Sequence, residues 1–305
     1  MKALVIGSSG FCGRHLVERL SQVPEARVVG VDLPAQPPGQ DALARYISAD
    51  FAQADVLRGI IGDTKPDWVF NLVALTGGDA EAVYRTNVLG TVGLLEAIRS
   101  ESPNSRVLLV GSAAEYGMVP ESANPIVEDY PCSPVGHYGV SKYSATLVAR
   151  TYASQFGVRV LIMRPFNIVG AGVPESLVIG ALLRRVREAL ERDEHVVKIG
   201  NLDSQRDFVA VEDVVEAYVR AIQSDTWGET FNICSGQPRR IRDVLEMALS
   251  HSPRPIELQV DPALFRPSDV PVICGSFAKA NQAFGFVPAT PLDTAIKAAW
   301  ERAVG

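Results

Sequence analysis

The sequence predicts an α/β fold, a doubly wound parallel sheet followed by a smaller C-terminal α/β domain. Three observations carry it. From residue 2 to residue 165, short runs that are apolar throughout alternate with longer stretches of helical spacing. Strands read that way when a parallel sheet is covered on both faces. A turn punctuated by glycines joins the first apolar run to the first helical stretch. After Pro165 the rhythm changes to helical stretches separated by short strands and Pro-rich loops, with no low-complexity linker and no internal repeat.

Taken in order, "KALVIG" (2–7) reads as a buried strand, "GRHLVERLSQ" (13–22) as a helix, and "ARVVGVDLP" (26–34) as a second strand ended by Asp32 and Pro34. "PDWVFNLVAL" (66–75) reads as a strand and "EAVYRTNVLGTVGLLEAIRS" (81–100) as one long helix. "SRVLLVGS" (105–112) is again a strand, residues 136–157 a helix closed by Gly157, and "VRVLIMRP" (158–165) a strand. Helical spacing returns over 176–193 and 241–250. The expected division is 1–165 for a cofactor-binding domain and 166–305 for a substrate domain, with about 206–232 returning to pack on the first.

The bulk numbers narrow the function. With 305 residues, 47% hydrophobic and 21% charged, the chain is an ordinary globular one. Lys and Arg number 29 against 35 Asp and Glu, a net charge of −6, which argues against a nucleic-acid partner. The N-terminal apolar run breaks at Gly7, too early for a secretory signal. No run approaches the roughly 18 apolar residues of a membrane helix. Cys12, Cys132, Cys234 and Cys274 stand far apart and form no C-x-x-C pair. They read as free thiols of a cytoplasmic protein, with no disulfide and no metal site.

"GSSGFCG" places Gly7, Gly10 and Gly13 between the first strand and the first helix. Glycines there permit a tight turn and let a pyrophosphate approach backbone N–H groups at a helix N-terminus. Phe11 and Cys12 lie inside the same turn and count as cofactor-lining candidates, as do Leu72 and Ala74 near the end of the strand over 66–75. Asp32, 19 residues beyond Gly13, would accept from the adenosine ribose hydroxyls and repel a 2′-phosphate, which favours NAD(H). Arg14 leaves NADP(H) open. Asp50 and Phe51, at the end of a third strand, would flank the adenine or form a plain loop.

Tyr138 and Lys142 in "YGVSK" are four apart and share a helix face. Ser112 lies just past the end of a parallel strand, where such sheets place ligands. A tyrosine, whose ordinary pKa is about 10, serves as an acid or base near pH 7 only where its surroundings favour the phenolate. An adjacent ammonium can supply that, while the serine hydroxyl holds the substrate oxygen.

These stretches together resemble the extended short-chain dehydrogenases/reductases, the Rossmann-type enzymes that remodel nucleotide sugars. "GSSGFCG", "TNVLGT" (86–91), "GSAAEYG" (111–117), "YGVSK" and "RPFNIVG" (164–170) fall in that family's order over roughly residues 3 to 300. The resemblance implies Ser112, Tyr138 and Lys142 as the catalytic trio, with Asn87 supporting Lys142 through backbone and water contacts. It implies Pro165 and Phe166 bordering the nicotinamide and Asn167 facing the sugar nucleotide, with Val178 also on the substrate side. It also implies a homodimer through a four-helix bundle built from the helices at 81–100 and 138–156.

In the second domain, Arg206 and Arg266 suit a diphosphate or are two ordinary surface arginines. "FRPSDVP", "GFVP" and "FNICSGQ" (231–237) resemble the branch that handles GDP-mannose, in particular the GDP-4-keto-6-deoxy-mannose reductases. By that likeness Arg206 and Arg266 grip the diphosphate and Asp269 lies near the guanine. The dehydratases of the branch keep carboxylates at the two places after the serine or threonine. Here those places hold Ala113 and Ala114, and Glu115, one further on, is expected to point elsewhere. The expectation is therefore NAD(P)H-dependent reduction of a GDP-linked 4-keto-6-deoxyhexose. The alternatives are an NAD-dependent nucleotide-sugar 4-epimerase or a cofactor-binding sensor without turnover.

Overall fold

The computed structural model describes residues 1–34, 42–265 and 270–304. The chain opens with β1 (Lys2–Ile6), α1 (Phe11–Ser21), β2 (Arg27–Asp32), β3 (Arg45–Ser48), α2 (Ala54–Thr64) and β4 (Trp68–Asn71). α3 (Ala80–Tyr84) passes through a π turn over Arg85–Leu89 into α4 (Gly90–Glu101), followed by β5 (Arg106–Val110), α5 (Gly136–Phe156) and β6 (Arg159–Pro165). The remaining elements are β7 (Asn167–Val169), α6 (Val178–Glu191), β8 (Val196–Ile199), β9 (Gln205–Ala210), α7 (Val211–Gln223), β10 (Thr230–Ile233), β11 (Pro238–Arg240), α8 (Ile241–Leu249), β12 (Glu257–Val260), β13 (Val272–Ile273), α9 (Ala278–Phe284) and α10 (Leu292–Ala303).

Seven strands form one sheet in the order β10-β6-β5-β4-β1-β2-β3, every neighbouring pair parallel. β1 shows why its residues are apolar without alternation. Ala3 and Val5 face a core shared with Leu16 and Leu20 of α1 and Val214 and Tyr218 of α7. Leu4 and Ile6 face the opposite core, with Ile61 of α2, Ile98 of α4 and Ala149 of α5. Fully burying an aliphatic side chain contributes roughly 1.5–3 kcal/mol, so a strand covered on both sides gains from an apolar residue at every position.

The long helix expected over 81–100 is three pieces. The π turn inserts one residue and swings Asn87 inward, where its amide bonds the backbone of Leu75. The strand expected over 66–75 ends at Asn71: the Leu72 N–H still bonds the Ile6 carbonyl, and from Val73 the chain runs beside the glycine turn.

A second group of strands, β11-β9-β13 with β7 also on β9, and the pair β8–β12, packs with α6, α8 and α10 around Leu182, Leu183, Leu245, Ile296 and Trp300. α7 and β10 interrupt that group. α7 shares the core of α1, and β10 is the edge strand beside β6. The four cysteines are free thiols. Among the described residues no helix is long and apolar enough to cross a membrane.

Candidate active site

The turn after β1 is shaped by the side chains it lacks. Gly7 has φ +85°, and a Cβ on Gly13 would sit 2.1 Å from the Gly7 carbonyl oxygen. Gly10 is the N-cap of α1 and carries no capping side chain. The first N–H groups of the helix, at Phe11, Cys12 and Gly13, are thereby left for an anion. This is the cradle that a dinucleotide pyrophosphate needs, and the residues fit it. Gly30 of β2, which the motif does not include, belongs to it too, since a Cβ there would lie 2.7 Å from Ser8 Oγ.

Asp32 closes the turn from the β2 side. Its carboxylate accepts from the Ser9 N–H and the Leu33 N–H, each at 2.8 Å. Arg14 donates to the Ser9 carbonyl at 3.1 Å. Backbone at Leu72 and Val73 comes within 3.3 Å of where a Gly7 Cβ would stand, and Ala74 is exposed just beyond. Asp50 accepts from the Ala52 N–H and shapes the turn before α2. Phe51 is a core residue. Its ring lies against Gly90 and packs with Leu57 and Leu94 rather than standing open to a base.

Ser112 follows β5 and is the N-cap of a short 3₁₀ turn over Ala113–Glu115. Its Oγ accepts from the Ala114 N–H at 3.1 Å. Tyr138 lies in the first turn of α5 and Lys142 one turn later. The start of α5 lies against the Ser112 turn, since a Cβ on Gly139 would stand 2.8 Å from the Ala114 carbonyl, and both Ser112 and Cys12 of the glycine turn are near enough to influence Tyr138. The trio therefore stands beside the dinucleotide cradle.

Burial sets the protonation of the site. It raises the Tyr138 phenol above its usual value, and the nearby Ser112 opposes it. It lowers the Lys142 ammonium, only 3% exposed, from 10.5 to about 8, against the nearby Glu115 carboxylate. The expected lowering of Tyr138 is thus not what this structure shows. Both groups are out of water, and desolvation disfavours the charged form of each.

Asn87 acts one residue away from where it was expected. Its amide donates to Ser141 Oγ at 2.9 Å, and Ser141 donates to the Tyr138 carbonyl at 2.8 Å, so Asn87 braces the helix backbone between Tyr138 and Lys142. Pro165 ends β6. The Phe166 ring is committed to a core with Tyr116 and Cys234, tight against Gly275.

On the substrate side, Asn167 donates to the Asp207 carbonyl at 2.8 Å. Arg206 stands directly opposite Arg239 in the β9–β11 ladder and donates to the Gln205 and Val270 carbonyls. Val178 opens α6 and packs on the core of that helix. Arg266 and Asp269 lie outside the described residues.

Among the buried carboxylates, Asp207 and Glu115 hold partners that the sequence reading did not foresee. Asp207 accepts from the Ser235 N–H and Oγ, each at 2.7 Å, from the Gly236 N–H at 2.9 Å and from the Gly275 N–H at 3.2 Å, tying two loops to β9. Glu115, fully buried, turns back beneath the Ser112 turn, where Arg164 meets it. The adjacency of Asp207 to Arg206 was one available signal. Nothing near Glu115 in sequence announces Arg164.

The comparisons with known proteins agree with this geometry. A GDP-6-deoxy-D-mannose reductase of Pseudomonas aeruginosa is 31% identical over 99% of this chain and 98% of its own. A GDP-6-deoxy-D-talose 4-dehydrogenase of Aggregatibacter actinomycetemcomitans is 28% identical over 93% and 92%. The solved structure of RMD from Pseudomonas aeruginosa complexed with NADPH superposes with a TM-score of 0.85 at 28% identity, covering 99% of this chain and 98% of that one. The model of the NAD dependent epimerase/dehydratase family matches residues 3–234. With its glycine cradle and its Ser-Tyr-Lys trio on one sheet edge, the chain belongs to the NAD dependent epimerase/dehydratase family.

Proposed function

We propose that this protein is an NAD(P)H-dependent reductase of a GDP-linked 4-keto-6-deoxyhexose. The observation that carries the reading is the Ser112–Tyr138–Lys142 cluster set beside the glycine cradle, with methyl groups at Ala113 and Ala114 where an elimination would need titratable ones. Residues 1–165 with about 206–232 would form the cofactor side and the rest of 166–305 the sugar-nucleotide side. Gly7, Gly10 and Gly13 with the N-terminus of α1 would hold the pyrophosphate, and Asp32 the adenosine ribose. Arg206 and Asn167 would face the nucleotide sugar, joined by Arg266 and Asp269, which lie outside the described residues.

The bound dinucleotide supplies the hydride. Ser112 holds the ketone oxygen, and Tyr138 gives that oxygen its proton. A phenol kept protonated by burial suits donation, the direction a reduction requires. Lys142, mostly charged below its pKa of about 8, offsets the negative charge left on Tyr138. The names of the two relatives support a GDP-6-deoxyhexose and the C4 position. The Asp32 carboxylate favours NAD(H) by repelling a 2′-phosphate, and the NADPH-bound neighbour makes NADP(H) the alternative to measure.

The test is absorbance at 340 nm. The preformed GDP-4-keto-6-deoxyhexose should consume NADH stoichiometrically, and GDP-mannose with NAD⁺ should give no keto product. Keto product from GDP-mannose would sink the reductase reading in favour of a dehydratase. Interconversion of C4 epimers with no net cofactor consumption would favour an epimerase, the other activity in the family's name.

We also propose a homodimer through α4 and α5. Leu89 is 61% exposed, Leu147 46% and Phe156 51%, an apolar surface that a second copy would cover. A 32.9 kDa species in sedimentation at micromolar concentration would count against it. The free thiols fit a reducing cytoplasm.

A further inference from the structure

Glu115 is the residue where the two chain segments bearing the trio and a neighbouring strand are tied together. Its Oε1 accepts the Ser112 N–H at 2.9 Å. Its Oε2 accepts Thr146 Oγ1 at 2.9 Å, Arg164 Nε at 2.8 Å and Arg164 Nη2 at 2.8 Å. Ser112 belongs to the turn after β5. Thr146 lies on α5 one turn beyond Lys142 and two beyond Tyr138, on the same face. Arg164 belongs to β6. One carboxylate thus joins the serine turn, the Tyr-Lys helix and the neighbouring strand, and Glu115, Thr146 and Arg164 are all buried.

We propose that Glu115 is a positioning residue for the reaction, holding the Ser112 turn in register with the face of α5 that carries Tyr138 and Lys142. The proposal rests on the reductase reading for its kinetic consequences, but not for its electrostatic one. Charge-assisted hydrogen bonds among buried partners fix geometry far better than exposed ones. The turn also has no slack. A Cβ on Gly111 would stand 2.3 Å from Glu115 Oε1, so the carboxylate is packed directly under the backbone it holds.

The charged and titratable groups around it come from every side. Arg164 approaches from β6, with its guanidinium carbon 4.9 Å from the Tyr116 ring centroid. Tyr138 and Lys142 face it from α5, and each is raised by its negative charge. Cys132, before α5, senses both Glu115 and Arg164, and Arg150 acts on Cys132. The ion pair does not cancel at Lys142, since Glu115 is the charge that opposes the effect of burial there. Replacing the carboxylate by an amide keeps an acceptor for the Ser112 N–H, removes that support and leaves Arg164 uncompensated.

The experiment follows ε-carbon-labelled lysine by NMR in the cofactor-free protein, where six lysines keep the spectrum assignable. In Glu115→Gln the Lys142 midpoint should fall below its native value of about 8 by roughly one unit or more, as expected for loss of a nearby opposite charge. With the keto sugar, kcat should fall about 10- to 10²-fold, the scale set by a slightly misplaced reacting group, while KM stays close to native. Thr146→Val keeps the ion pair and cuts only the tie to α5. It should lower kcat severalfold and leave the lysine midpoint unchanged. A folded Glu115→Gln protein with native kcat and native Lys142 midpoint overturns the proposal. Should that variant fail to fold, native kcat in Thr146→Val overturns it. A native protein that reduces no keto sugar would sink the reductase reading alone, and the lysine titration would still decide for or against Glu115.

Discussion

Two turns on the same edge of the sheet are held by opposite means. The turn after β1 is shaped chiefly by the side chains it lacks, with Gly7, Gly13 and Gly30 each clearing space that a methyl would close, and is pinned at its rim by Asp32 and Arg14 on Ser9. The turn after β5, on the other side of β4, is held by side chains, through a buried chain of partners running from Glu115 to Arg164 and from Tyr116 to Asn232 and Glu128. The first turn has to admit a ligand backbone-close, so room is what matters. In the proposed reaction the second keeps one hydroxyl still against a moving proton, so rigidity is what matters. Site architecture follows the demand made on each strand end rather than the fold they share.

The comparison can be broken most forcefully at the chemical turn. Tyr138→Phe should cut turnover by about 10²–10⁴ while leaving dinucleotide binding intact, because the hydroxyl acts only on the proton. Retained turnover in steady-state assays would remove Tyr138 from the mechanism.

Lys142→Met should also abolish most turnover, yet stabilise the protein at pH 7. The folded pKa of about 8 lies below the ordinary 10.5, so folding disfavours the charged lysine. At 1.36 kcal/mol per unit this burial costs about 3 kcal/mol below pH 8. The cost is lost as pH rises from about 8 through 10.5, so the advantage of the methionine should shrink over that window. Denaturant titrations at pH 7 and 10 check both the sign and the trend.

Gly13→Ala probes the other turn. The methyl would sit 2.1 Å from the Gly7 carbonyl. The strain should cost about 1–3 kcal/mol in thermal or chemical unfolding and should weaken dinucleotide binding more than it weakens the fold. Native dinucleotide affinity in calorimetry would show that room is not what holds that turn. Asp32→Ala should have the smallest effect, narrowing a preference for NADH over NADPH by about tenfold, near 1.4 kcal/mol. Fluorescence titration with both cofactors measures it, and tighter NADPH binding by the native protein would reverse the assignment of Asp32.

The two turns were also unequally legible in sequence. The glycine turn announces itself because its determinants are seven contiguous residues and their meaning is steric. Ser112, Tyr138 and Lys142 were readable for a similar reason, being motif residues beside strand ends and on one helix face. Glu115 was not, because Thr146 lies 31 residues away and Arg164 49, and a buried network has no sequence period. The same holds for α3 and α4. A π turn adds a residue without changing composition, so the apolar spacing looked like one helix.

The path of the chain through β10 has a consequence for biosynthesis. Until residues 230–233 leave the ribosome, β6 is an unpaired edge of an otherwise complete six-stranded sheet. An exposed parallel edge is a template for pairing with another nascent chain. The stretch that must emerge first includes α6, β9 and α7, and α7 settles over the core beside α1 immediately before β10 arrives. Translation speed across residues 166–229 therefore sets how long the half-made sheet stays open to misassembly, and synonymous slow codons placed there should lower the yield of native protein without altering a single residue.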